Sequence, residues 1–279
     1  MLNESRLFSF FDNNHNFTVH FLEGQKLIHD IAVIHKLEKE GFLFYRDILL
    51  SFQPMISFLK PREGFGIYID SSSPQFSFKI ETNESGLTRS LIMPESFSLF
   101  PETISGQCRI SKILPENPTP YTSIIEVNNA RIDQIANEIL TSSYQMNATV
   151  SLANSSDQSM LISKLPSVGG EKTKIKKEYS LEDYQNEYAD KFQTIYNKAL
   201  NNENDIIKCF TDLNFQYLSS KEVKFHCGCS KDRFIVSILS LQNSSIEDVF
   251  EDESEISVRC DYCGKNYEIT KDEVNKAFN

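Results

Sequence analysis

The sequence predicts an α+β fold followed by a small C-terminal domain, on three observations. Strand and helix signals interleave without strict alternation. A stretch at residues 165–177 holds Pro166, Gly169, Gly170 and a run of lysines, and few apolar residues. Four of the six cysteines fall within the last 53 residues. Together they divide the chain into an N-terminal mixed sheet-and-helix domain (1–168), a flexible segment with a helical linker (169–220) and a cysteine-bearing domain (221–279).

Each element follows from local pattern. Residues 17–21, Phe-Thr-Val-His-Phe, alternate apolar and polar as a half-buried strand should. Leu27, Ile31 and Ile34 repeat at helical spacing in a stretch expected to end near Gly41. Residues 48–59 form a second apolar helical run, interrupted by Pro54. Strands are expected at 66–70, 75–80 and 122–127, with turns at 71–74 and 83–86. Residues 130–140 read as a helix with Ile132, Ile135, Ala136 and Ile139 on one face, and 148–153 as a returning strand. Ser180 with Asp183 three residues on makes a capping-box start for a helix whose apolar stripe is Leu181, Tyr184, Tyr188, Phe192, Ile195 and Leu200. A second helical piece spans 204–213.

Composition excludes several functions. No run of 18 apolar residues exists, so no membrane-spanning helix is expected. Glu4, Arg6 and Asp12 break up the N-terminal stretch, which argues against a secretory leader and for the cytoplasm. The net charge is −11, a poor match for a nucleic-acid binder, which needs a basic face to displace counterions. The lysines of 172–177 carry no interleaved aromatics and read as a solvated linker. Neither a phosphate-cradling glycine loop nor G-x-S-x-G nor H-E-x-x-H occurs, so ATP hydrolysis is not supported.

The cysteines carry the chemistry. Cys227, Cys229, Cys260 and Cys263 stand as C-x-C-x30-C-x2-C. Two close pairs on tight loops can supply two edges of a zinc tetrahedron, with zinc–sulfur bonds of about 2.3 Å. Gly228 and Gly264 are expected to let the loops bend around one structural zinc ion. Four sulfurs leave no position for a catalytic water, and His226 beside Cys227 is expected to be a bystander. A domain of this size has a marginal core, so the metal should decide whether it folds. Zinc-bound thiolates are also what oxidants attack. Proximity along the chain pairs Cys227 with Cys229 and Cys260 with Cys263 on oxidation, and a bond across one intervening residue would be strained and easily reduced. Six acids between the pairs (Glu247, Asp248, Glu251, Asp252, Glu253, Glu255) read as a solvated loop. Cys108 and Cys209 are expected to be small apolar packing residues.

Phe225 to Ser230, the spacer length, and Val258 to Cys263 followed by Tyr267 resemble the zinc domain of the bacterial redox-regulated chaperones, the 33-kDa chaperonins (heat shock protein 33). Upstream, Pro120 to Val127 resembles the family's proline-tyrosine strand. Ser143-Tyr144-Gln145 stands where the family has serine-glutamate-glutamine, and Gly86 to Ser90 where it has a glycine and then arginine-glycine-tyrosine. Ser71 to Pro74 replaces an expected glycine-rich turn. The resemblance implies an ATP-independent holdase rather than an enzyme. Oxidation would form two neighbouring disulfides, release zinc, unfold the tail and loosen the helical linker. Unfolding client proteins would then be captured, in an oxidised homodimer. Two other readings use the same residues: a constitutive zinc-stabilised interaction module, and a thiol–disulfide oxidoreductase built on Cys260 and Cys263.

Overall fold

The computed structural model describes residues 2–166, 179–240, 246–251 and 253–278. It divides into two compact units, Met1–Phe225 and His226–Asn279. The lysine run at 172–177 and most of the expected boundary stretch lie outside the described residues.

In the first unit, β1 (Arg6–Asp12) and β2 (Phe17–Glu23) form an antiparallel hairpin. Helices α1 (Gln25–Ile34) and α2 (Lys39–Phe52) follow, then a 3-10 segment, Gln53–Phe58. Gly41 does not end the first helical pattern; it sits in the opening turn of α2. Its hydrogen side chain makes room for the Phe100 ring, which a β-carbon there would approach to 2.9 Å. Pro54 acts as expected on the second pattern: α2 stops at Phe52, and the proline sits in the first turn of the 3-10 segment, where its missing N–H costs nothing.

Strands β3 (Gly64–Ser72), β4 (Gln75–Asn83), β5 (Leu87–Met93), β6 (Ile104–Leu114) and β7 (Asn117–Ala130) come next. The expected turn at 71–74 is tighter than four residues, since Ser72 pairs with Gln75. Helix α3 (Ile132–Glu138) runs into a single π turn, Ile139–Ser143, and β8 (Ala148–Leu152) and β9 (Gln158–Lys164) close this part. Then α4 (Leu181–Lys198), α5 (Glu203–Thr211), β10 (Gln216–Glu222) and β11 (Lys224–Phe225) complete the unit.

One sheet has the order β10-β1-β2-β9-β8 and the other β11-β5-β4-β3-β6-β7. Pairings are antiparallel except β11 beside β5. One core packs α1, α2 and α3 with residues of both sheets: Leu22 and Leu161 from the first, Phe65, Ile67 and Phe78 from the second. The other face of the first sheet is a separate apolar layer of Phe8, Phe10, Phe17, Val19, Phe21, Met160 and Ile162. Tyr184, Tyr188, Phe192, Ile195 and Tyr196 of α4, with Ile206 and Phe210 of α5, lie on it. The stripe read from the sequence is therefore the lid on an aromatic sheet face. Phe17 stacks on Tyr184 at 4.0 Å and Phe10 on Phe210 at 4.1 Å between ring centres.

A polar anchor accompanies this layer. The Asp12 carboxylate, buried at the end of β1, accepts hydrogen bonds from the Tyr184 and Tyr188 hydroxyls at 3.1 Å each. It also contacts the His15 ring at 2.8 Å and accepts from the Asn14 amide. Ser180 caps α4 by accepting from the Asp183 amide, and the capping box is complete.

The second unit comprises α6 (Lys231–Leu239), α7 (Ile246–Phe250), β12 (Glu255–Arg259), β13 (Asn266–Thr270) and α8 (Lys271–Phe278). Its core among the described residues is Ile235, Phe250, Ile269 and Val274, with partly buried neighbours around them. So few buried side chains leave an autonomous fold marginal without a staple.

Candidate metal centre

Two loops of the second unit carry the four sequence-predicted cysteines. Residues 226–230 lead into α6, and Ser230 ends the loop by capping that helix on the Arg233 amide. The other loop is the connection between β12 and β13. There the Gly264 amide donates to the Cys260 carbonyl at 2.7 Å, and the Cys260 amide to the Lys265 carbonyl at 2.9 Å. Gly264 has φ +70, as its expected role requires. Gly228 does not adopt a left-handed conformation. A β-carbon there would come within 3.1 Å of an Arg233 nitrogen, the far end of a flexible side chain, so neither φ nor space demands glycine at this position.

The loops bring the four Sγ atoms within 4.8 Å of one another. Cys227 and Cys260 are 3.7 Å apart, and Cys229 and Cys263 are 3.4 Å apart. A tetrahedron with zinc–sulfur bonds of about 2.3 Å separates its sulfurs by about 3.8 Å. The donor set therefore fits a four-thiolate metal ion, with the short contacts running between the loops rather than within them. His226 is not part of the group. All six cysteines are free thiols.

Electrostatics distinguish the four. Burial raises the Cys229 thiol, but hydrogen bonding to Tyr267, Cys263 and the other cysteines outweighs it and brings it down to about 7. Burial and contacts with the remaining thiols push Cys263 up to about 12, and burial raises Cys227. Four adjacent sulfurs cannot all ionise unaided, whereas a bound cation makes each coordinating thiol give up its proton.

The remaining sequence candidates lie elsewhere. Cys108 is buried in the first unit's core, its thiol pushed up to about 12 by burial. Cys209 is half-buried against the α4–α5 layer and accepts a contact from Lys198 Nζ at 3.4 Å. The acidic run is not one loop: Glu247 and Asp248 belong to α7 and Glu255 opens β12, although Asp248, Glu251, Glu253 and Glu255 are all exposed, and Asp252 lies outside the described residues. The Cys260–Cys263 pair occupies a turn between antiparallel strands, not the helix N-terminus that lowers a thiol pKa in redox enzymes. Sequence reasoning missed the role of Tyr267, whose hydroxyl lies 3.2 Å from Cys229 Sγ and donates to the Cys229 carbonyl at 3.1 Å. Its place four residues past Cys263 was visible, but its reach of 38 residues back was not.

A family model described as Hsp33 protein matches residues 5–270, nearly the whole chain. The chain belongs to the Hsp33 family. Among curated relatives, the 33 kDa chaperonin of Acholeplasma laidlawii is 29% identical over 79 residues, 28% of this chain and 27% of the relative. That of Bacillus velezensis is 41% identical over 59 residues, 21% of this chain and 20% of the relative. The aligned stretches thus span under a third of those Hsp33 relatives' own lengths. The fold extends much further. A crystal structure of the 33 kDa chaperonin (heat shock protein 33 homolog) of Thermotoga maritima superposes with a TM-score of 0.74 at 14% identity, covering 98% of this chain and 97% of that one. The α+β architecture with a four-cysteine C-terminal region is the Hsp33 fold. Among the described residues no helix is long and apolar enough to cross a membrane.

Proposed function

We propose that the chain is a redox-switched, ATP-independent chaperone of the cytoplasm, a holdase and not an enzyme. Its regulatory centre is one zinc ion held by Cys227, Cys229, Cys260 and Cys263. The observation that carries this reading is the set of four sulfurs gathered within 4.8 Å in a unit with very little core of its own. Bound zinc would keep the sulfurs as thiolates and contribute about 10–16 kcal/mol of binding free energy, which in so small a module is folding free energy.

The chain's residues supply the rest. In the reduced state the two loops are pinned together and the second unit is folded. A two-electron oxidant such as hydrogen peroxide converts each thiol pair to a disulfide and is itself reduced to water. The pairs are Cys227 with Cys229 and Cys260 with Cys263, neighbours that stay together once the loops part. The sulfurs then no longer hold zinc, and the unit loses its staple. Residues 169–220 act as the switchable segment between the N-terminal domain and the cysteine domain. Its α4–α5 aromatic stripe covers Phe8, Phe10, Phe17, Val19 and Phe21. Lifting these helices exposes a contiguous aromatic surface of the kind that captures unfolded chains. The partners are unfolding client proteins, and the oxidised form is a homodimer; neither nucleic acid nor membrane is a partner.

The test is Cys263→Ser in the full chain. Loss of one sulfur should drop the metal content well below one ion per chain and leave the variant suppressing aggregation of a denatured client without any oxidant. A metal-free variant that stays idle contradicts the proposal and favours a zinc-stabilised module without a switch.

A further inference from the structure

Tyr267 stands on β13, paired in register with Val258 of β12. Its ring packs 5.3 Å from Phe234 of α6 and lies under the Lys265 ammonium at 4.9 Å. Its hydroxyl touches both ends of one residue on the other loop: the Cys229 sulfur at 3.2 Å and the Cys229 carbonyl at 3.1 Å. Besides the contacts among the four thiols, Cys227 and Cys263 accept from backbone amides, those of Cys229 and Lys265. Cys229 is instead met by a hydroxyl from a side chain 38 residues away.

A phenol has one proton, and a thiolate and a carbonyl are both acceptors. The proton therefore goes to the stronger acceptor. While Cys229 is a metal-bound thiolate the charged sulfur wins, because hydrogen bonds to charged groups are the stronger ones. When the sulfur is a neutral thiol it is a weaker acceptor, and the proton turns to the carbonyl.

We propose that Tyr267 is a positioning residue of the four-thiolate centre, whose hydroxyl donates to the Cys229 sulfur while metal is bound and clamps the first cysteine loop onto the β12–β13 turn. This rests on the zinc reading above. The bond draws charge from one of four sulfurs in a site of net negative charge. It thereby makes Cys229 a poorer target for oxidants and slows metal loss.

Cobalt(II) replaces zinc in the full-length reduced protein as the probe, because its thiolate-to-metal absorption reports the electron richness of the sulfurs. Tyr267→Phe removes the proton and keeps the ring. The variant should still load one cobalt ion, with the charge-transfer band moved to longer wavelength. Its metal affinity should be weaker by about 10- to 100-fold, the usual cost of removing such an outer partner. If the phenylalanine variant fails to fold, fluorotyrosine at position 267 keeps the hydroxyl and makes it a stronger donor, so the band should move to shorter wavelength. A loaded wild type whose band and affinity are matched by the phenylalanine variant, or a band that fluorotyrosine leaves unmoved, overturns the inference alone. A wild type that takes up no cobalt removes the four-thiolate reading, and this inference falls with it.

Discussion

Two buried residues of the first unit set opposing pH dependences. Glu23, at the end of β2, is pushed up to about 7 from an ordinary 4.5, chiefly by burial, with Asp157 adding to it. The folded state holds that proton where the unfolded chain has released it, so stability falls as pH rises from 4.5 to about 7. His20, on the same strand, is lowered to about 4 from 6.5 by burial. Here the unfolded chain binds the proton first, so stability falls as pH drops from 6.5 to about 4. Across most of this window the two nearly cancel. Glu23→Gln removes one of them. The stability advantage of the variant over wild type should grow by about 3 kcal/mol between pH 4.5 and 7, as urea titrations at each pH would measure. A constant difference across that range would show that Glu23 is not held protonated.

At the scale of elements, α4 is held by aromatic stacking and by one carboxylate. Asp12→Ala would leave the Tyr184 and Tyr188 hydroxyls buried without their acceptor. The expected loss is about 2–4 kcal/mol in denaturant unfolding, together with faster proteolysis within residues 181–198. If lifting this helix activates the protein, the variant also binds clients before oxidation; protease resistance equal to wild type would mean that Asp12 does not hold the helix. Much of this element was legible beforehand. The 3.6-residue stripe and the Ser180–Asp183 box marked α4 almost to the residue, because both signals are local. Strand β2 was also visible, although its burial on both faces blurs the alternation. Strands β1, β5, β6, β9, β10, β11 and β13 were not. Leu7, Phe8 and Phe10 of β1 are buried against two layers, so the run lacks period 2, and β10 is a largely exposed, polar edge strand whose only signal is its pairing with β1. The clustering of the four cysteines was legible from their spacing alone, since thiol pairs on tight loops leave few other uses. Tyr267 was not, because its partner is set by how the loops meet.

For the whole molecule, the two units differ in what holds them. The first has an extensive apolar core and two sheets, and the second has four buried apolar anchors among its described residues. Chelation should therefore act unevenly. Residues 226–279 should lose amide-exchange protection once the metal is removed, while β2, β3, β4 and β9 keep theirs. A tail that stays protected after chelation would mean that its small core suffices and that the cysteines are dispensable for folding.

The most direct measurement follows zinc release and client protection in one sample. Reduced protein is treated with peroxide at elevated temperature, a chromogenic chelator reads the free metal, and light scattering reads the aggregation of a denatured client. The account predicts about one zinc ion released per chain, with suppression of aggregation rising on the same time course and reversing when thiols are reduced and zinc is restored. Full release of zinc with no suppression, or suppression that precedes any release, would contradict it.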